Sequence, residues 1–376
     1  MKKFLFFAAI AAISLASCSN DETIAVNNSS GNEIAFRPLM NNVTRAFAEV
    51  TTSTMASSGF YAVAYNTSDN SQYFDPELFN VISSSEYRAS TPHYWPTTGN
   101  LDFIGYYPNV DAQFTHPTWN TFTLSPADDV STHNDYVVAA TINQAKASST
   151  SGVPMHFKHL GSQIILKVYN SKGNTGNIKA TVTGWKIGYL SKSGTYTFAS
   201  STATASAITA PTIAEGSQKT GNVPNAYSQT VSSTVISGEI YDTSGEAMQL
   251  GNPVLIVPQT ATMFTSTSDY ATGGYLPGAY IAVKMLIEDL SGNDLADATV
   301  DEIWAAWPIT NNWVAGTKYT YTIDLSQGGY KEKDTEAVGQ DVKPWLDGSE
   351  IFFSSVDVTP WVETAGTIPF PNTPEP

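Results

Sequence analysis

Only one cysteine occurs in the 376 residues, so an internal disulfide is excluded. Charge is also scarce. Charged residues make up 14% of the chain, and 18 Lys and Arg face 34 Asp and Glu, for a net charge of −16. An acidic surface repels nucleic acid and anionic lipid, and no basic cluster offsets it; neither is an expected partner. Beyond the first residues there is no apolar run long enough to cross a membrane. Signatures of catalysis are missing as well. No G-x-S-x-G elbow occurs, and Gly173-Asn-Thr-Gly176 lacks the Lys-Ser/Thr that would complete a phosphate loop. Asp128-Asp129 and Glu288-Asp289 are adjacent carboxylates, whereas glycosidase pairs come from separate elements. Asp289–Asp297 has its glycine in the wrong place for an EF-hand and reads as a hairpin. His156 and His159 would point to opposite faces of a strand, and His93, His116 and His133 sit beside Pro or Asn in loops. The expectation is no catalytic residue, no metal and no cofactor.

What is present starts at the N-terminus. Lys2 and Lys3 precede the apolar run Phe4–Ile13, which matches a secretory leader and is too short for a stable membrane span. Leu15-Ala16-Ser17-Cys18 follows. The tetrapeptide resembles the lipobox of bacterial lipoproteins, which implies cleavage before Cys18 and acylation of its sulfur and new amine. Each buried acyl methylene contributes about 0.8 kcal/mol, so several chains make a stable anchor. Ser19-Asn20-Asp21-Glu22 is similar to the acidic export tags of surface lipoproteins in Bacteroidales.

Tyr and Thr are plentiful and Lys and Glu sparse, a balance that favours strands. Period-two alternation marks Lys318–Leu325, Ile281–Glu288 and Ile164–Tyr169. Val254–Val257 is continuously apolar between Pro253 and Pro258, as in a strand buried on both faces. Repeated short runs of this kind predict an all-β chain built from antiparallel sandwiches, with at most a helical turn near Asp75–Phe79. Ser291-Gly292-Asn293-Asp294 reads as a hairpin turn. Asn143–Gly152 is small and polar and reads as a linker; Ser200–Thr212 is low in complexity. The expected organisation is a signal peptide over 1–17, a tether over 18–32, a first sandwich domain over 33–152 and a second over 153–376. Its many aromatic residues are read mainly as core, with a sugar-stacking platform as the alternative.

Several blocks together resemble one family. Tyr94-Trp95-Pro96 with Leu101-Asp-Phe-Ile-Gly-Tyr-Tyr-Pro108, then Asp135-Tyr-Val-Val-Ala139 with Met155–Val168, and finally Trp313–Leu325, are similar to the ordered signatures of the fimbrillin-like proteins of Bacteroidales. The resemblance implies two tandem transthyretin-like β-sandwich domains and a lipoprotein subunit of a surface fimbria, stalk or tip. It further implies that an arginine-specific protease removes the first strand and that a strand of another subunit fills the groove. Thr44-Arg45-Ala46 fits the cut site, and Ile34 and Phe36 form a short alternating strand before it; Arg37 and Arg88 are rival sites. Removal would strip an edge strand and expose unpaired backbone groups. The donor candidate is the stretch from Ile351 to Thr359, including Ile351, Phe352, Phe353, Val356 and Val358. Completion of the chain's own sheet by that stretch is the alternative. Expected partners are other fimbrial subunits, the outer membrane through the lipid, and a glycan or host surface ligand. Two alternatives stand beside the fimbrial reading: a non-polymerising lipoprotein that binds glycans or host ligands, and a membrane-retained anchor subunit.

Overall fold

A computed structural model describes residues 32–39, 50–83, 86–110, 114–115, 120–146, 152–169, 178–198, 208, 210–220, 223–237, 247–262, 278–289, 303–325, 330–331 and 355–360. The first part of the chain forms β1 (Phe36–Leu39), helix α1 (Thr52–Ser58), β2 (Phe60–Asn66), β3 (Gln72–Ser83), β4 (Glu86–Ala89), β5 (Leu101–Tyr107), β6 (Thr121–Leu124), β7 (Val137–Gln144), β8 (Val153–His156) and β9 (Lys158–His159). The rest forms β10 (Ser162–Tyr169), β11 (Ile178–Gly188), β12 (Gly194–Thr197), β13 (Lys219–Thr220), β14 (Val223–Pro224), β15 (Ala226–Ser237), β16 (Met248–Gln249), β17 (Val254–Ile256), β18 (Thr260–Ala261), β19 (Tyr280–Asp289), β20 (Ile303–Pro308), β21 (Asn311–Asn312), β22 (Thr317–Asp324), β23 (Tyr330–Lys331) and β24 (Ser355–Pro360). The protein is all-β, as its composition predicts.

Eight strands of the first part make one sheet in the order β8-β1-β4-β3-β2-β5-β7-β9. The sheet curls on itself, so that the Thr141 hydroxyl of β7 donates to the Pro154 carbonyl of β8 at 2.8 Å. Alternation along β2 explains the curl: Phe60, Ala62 and Ala64 face an inner core with Phe79, Phe103, Val137 and Met155. Tyr61, Val63 and Tyr65 belong to an outer one. The second part is a two-sheet sandwich. One sheet runs β16-β10-β22-β24, with β17 also on β10; the other runs β15-β11-β19-β20-β23. Between them lie Ile164, Leu166 and Val168 from β10, Val182 and Trp185 from β11, Ile281 and Val283 from β19, and Tyr319 and Tyr321 from β22. The outer core of the first sheet joins the two parts, since Ile104, Tyr106 and Val138 pack with Tyr196, Leu255 and Val257. β6 also pairs with β12 across the junction.

Three expectations change. The segment from 153 pairs with the first sheet rather than opening the second unit: β8 lies parallel to β1, β9 pairs with β7, and Val153, Met155 and Phe157 fill the first core. The pairing is not purely antiparallel, because β1–β8 and β10–β22 are parallel. Asp75–Phe79 lies inside β3, not in a helical turn. Pro76 falls where the β2–β3 register shifts between Ala62 and Ala64, and a bulge tolerates a residue with no N–H to donate. The helix sits instead at Thr52–Ser58, opened by a capping box in which Thr51 Oγ1 accepts from Thr54 N and Thr51 N donates to Thr54 Oγ1, each at 3.1 Å. Among the described residues no helix is long and apolar enough to cross a membrane.

Candidate functional site

The first strand is the residue set that the sequence singles out, and its surroundings define a site. β1 lies between two strands. It runs parallel to β8, with Phe36 opposite Val153 and Leu39 opposite His156, and antiparallel to β4 through Phe36 and Tyr87. It is therefore not an edge strand, and the expected loss of an edge becomes the opening of a slot inside the sheet. Glu33 bridges Tyr94, and backbone bonds flank the strand: Ile34 N to His93 O at 2.7 Å, Val153 N to Ala35 O at 2.7 Å and Phe157 N to Leu39 O at 3.0 Å. Gly152 has φ +87, and a Cβ there would stand 3.3 Å from the Ala35 carbonyl oxygen, so glycine lets the chain press against β1.

Side chains seat the strand as firmly as its backbone does. Ile34 and Phe36 are fully buried. The Phe36 ring meets Phe79, Phe103 and Phe60 edge-on, with centroids 4.6, 5.1 and 5.8 Å away. Such contacts add to the area term of burial. At the rim Arg88 ties Glu33 to Glu86, and its hydrogen bond to Glu86 holds the guanidinium pKa above its usual value.

Residues 40–49 lie outside the described residues, and Arg45 and Ala46 with them. The chain on the far side is fixed at Val50, whose buried N–H donates to Asp135 Oδ2 at 2.9 Å. The same oxygen lies 2.7 Å from His159 Nδ1. Both flanks of Arg45 are thus pinned, one by β1 and one by Asp135. The rivals sit in paired strands: Arg37 within β1, and Arg88 within β4 in its carboxylate clamp. A protease binds an extended, unpaired segment, so an arginine held inside a paired strand is hard to engage.

Cys18, Ile351, Phe352 and Phe353 also lie outside the described residues. Val356 and Val358 fall in β24, which pairs antiparallel with β22, placing Val356 opposite Tyr321 and Val358 opposite Tyr319. The last strand thus completes the chain's own sheet, the alternative left open by its sequence.

The histidines have ordinary partners. His133 Nδ1 accepts from Leu255 N at 3.0 Å and Nε2 faces the Ala127 carbonyl at 2.7 Å, which fixes a neutral ring; burial lowers its pKa. His93 contacts Glu77 Oε2 at 2.5 Å and stacks on Phe74. His156 is exposed at the end of β8 and His159 is buried in β9. Among the described residues no three His, Cys, Asp or Glu stand close enough to hold a metal. Asp129 caps a 3₁₀ turn, and Asp128 reaches Lys192 at 2.6 Å. The sequence does not disclose the tasks of Asp135 and Gly152, because their partners are distant in the chain.

The profile described as Fimbrillin-like matches residues 44–345. A fimbrial protein of Bacteroides vulgatus is similar in structure, with a TM-score of 0.51 at 16% identity over 88% of this chain and 100% of that one. The tip fimbrial protein Mfa3 of Porphyromonas gingivalis, truncated at its C-terminus, aligns with a TM-score of 0.38 at 9% identity over 87% of this chain and 100% of that one. No curated protein matches the chain in sequence.

Proposed function

Because this chain belongs to the fimbrillin-like family, we propose that it is a structural subunit, stalk or tip, of a surface fimbria. In this reading it is exported as a lipoprotein acylated on Cys18 and assembled after cleavage between Arg45 and Ala46. The family is one of fimbrial structural proteins rather than enzymes.

The observation that carries the reading is the state of β1. It is a four-residue strand that fills an aromatic socket between β4 and β8, immediately before the segment with Arg45. Cleavage there takes away β1, the tether and the lipid in one piece. What remains is a slot with unpaired backbone groups on both walls and a floor of Phe60, Phe79 and Phe103. Such a slot is satisfied by a strand from another subunit through backbone hydrogen bonds, with alternate side chains seated in the socket. Expected partners are therefore other subunits by strand exchange, and the outer membrane before cleavage. Adhesion to a glycan or host surface ligand follows from the fimbrial role.

A second reading is favoured by β24. Its pairing with β22 suits a subunit that keeps its own last strand, such as a membrane-retained anchor. Replacing Arg45 by Ala separates the two. A polymerising stalk subunit becomes uncut, membrane-retained and monomeric, visible as loss of the high-molecular-weight ladder on unheated gels. An unaltered ladder with Arg45→Ala contradicts cleavage at this site.

A further inference from the structure

Residues 126–134 lie between β6 and β7 in the first part of the chain, yet they are fastened to the second. The 3₁₀ turn Val130–Thr132, capped by Asp129, puts Val130 into the sandwich core with Trp185 and Tyr227. The Tyr227 hydroxyl donates to the Pro126 carbonyl at 3.3 Å, and Lys192 reaches Asp128 at 2.6 Å. Around the buried Val130, Ala127, Asp128, Asp129 and Ser131 are exposed. The segment is thus a strap on the surface, plugged into the neighbouring core by one side chain. Lifting it costs far less than unfolding the sandwich, whose core is otherwise made by its own two sheets.

His133 closes the strap. Among the described residues β17 pairs with β10 alone, and the Leu255 N–H finds its acceptor in His133 Nδ1 at 3.0 Å. The imidazole stands where the carbonyl of a further strand would otherwise be needed. Its Nε2 faces the Ala127 carbonyl at 2.7 Å, so Nε2 carries the proton and Nδ1 is bare. A second proton, on Nδ1, would set donor against donor at the Leu255 N–H. Burial holds the ring's pKa below its usual 6.5, and Lys192 adds to this, while the Ala127 carbonyl and Asp129 act the other way. Asp128 pairs with the Lys192 ammonium, and Tyr227, edge-on to the ring at 5.1 Å, is a phenol that burial keeps neutral. In a lifted strap the ring regains water and takes up its proton at the ordinary value. The closed state is therefore fully favoured above pH 6.5 and loses ground as pH falls through the closed-state value.

We propose that residues 126–134 are a proton-released strap, that His133 is the latch fastening them to β17, and that mild acid lifts the strap while the sandwich stays folded. Lifting bares Tyr227 and the socket of Val130. The inference rests neither on the fimbrial role nor on cleavage at Arg45.

Thiol labelling tests it in the full chain carrying Cys18→Ser, which removes the one native cysteine. Val130→Cys reports on the strap, and Val182→Cys, fully buried in β11, reports on the sandwich core. Thermal melts at pH 7 check that both variants fold. Dithiodipyridine, which labels thiols in weak acid, is applied at pH 7 and at pH 5. Each rate is divided by that of the same chain unfolded in urea at the same pH. Protection at position 130 is expected to fall roughly tenfold or more between pH 7 and pH 5, while position 182 stays protected. His133→Asn keeps an oxygen that accepts from Leu255 N but does not titrate, so position 130 then stays protected at both pH values. Equal protection of position 130 at pH 7 and pH 5 overturns the proposal. So does a loss at 130 matched by an equal loss at 182, which is global unfolding, and so does an unchanged pH dependence in His133→Asn.

Discussion

At the scale of single residues, Phe36 is where the account is most exposed to test. Its ring is wholly buried among three other phenylalanines. Truncation to Ala removes that packing and leaves a cavity, a change that costs about 3–5 kcal/mol in well-packed cores. Phe36→Ala in the uncut chain is expected to lower stability by that order in urea titration, and Phe36→Leu by much less. If β1 is gone from the mature subunit, the same substitution leaves the stability of the cleaved, assembled form unchanged. His133 makes a pH prediction. Its pKa in the folded chain is below the ordinary 6.5 because it is buried, and its neutral ring bridges Leu255 and Ala127. Below about pH 6.5 the unfolded chain takes up a proton that the folded chain resists, so stability is lost as pH falls toward the folded value. Melting temperature is expected to drop between pH 7 and pH 5, and His133→Asn should flatten that slope. Among the tyrosines, burial pushes Tyr321 up to about 12; its hydroxyl accepts from Trp313 Nε1 at 2.9 Å and from Asn311 Nδ2 at 3.0 Å. It is a strut of the core and does not titrate in any physiological range.

At the scale of elements, the last strand decides between two roles. If the stretch from 351 is donated to a neighbour, deletion of 351–376 abolishes polymer while the monomer still folds, by gel filtration and circular dichroism. If β24 serves only its own sheet, the deletion bares β22 along its length and the isolated monomer loses stability. Elements also show what a sequence can and cannot disclose. Ile164–Tyr169, Ile281–Glu288 and Lys318–Leu325 are legible because alternation is local: every second side chain must face the sandwich core. The helix at Thr52–Ser58 has a local signal too, the Thr51 and Thr54 capping pair, but Thr at the fourth position is a weaker mark than Glu or Gln. The place of β1 is not local information. Nothing in Glu33–Pro38 tells that its neighbours are residues 86–89 and 153–156, or that one of them runs parallel. For the same reason Met155–Leu160 looks like the start of a unit while its hydrogen bonds close the previous one. Asp135 is legible as part of a motif, yet its task of holding Val50 spans 85 residues.

At the scale of the whole molecule, a curled sheet and a sandwich share a core and the chain belongs to the fimbrillin-like family. The site that matters is made by sheet order: β1 lies between β8 and β4, followed by a segment whose far end is anchored at Val50. The central claim is that this strand leaves. The most direct measurement is mass spectrometry of the N-terminus on cell membranes and on sheared surface material, analysed separately. The account predicts acylated Cys18 in the membrane fraction and a chain starting at Ala46 in the sheared fraction. Acylated Cys18 alone, confined to membranes, would contradict it and leave a retained surface lipoprotein with β1 in place.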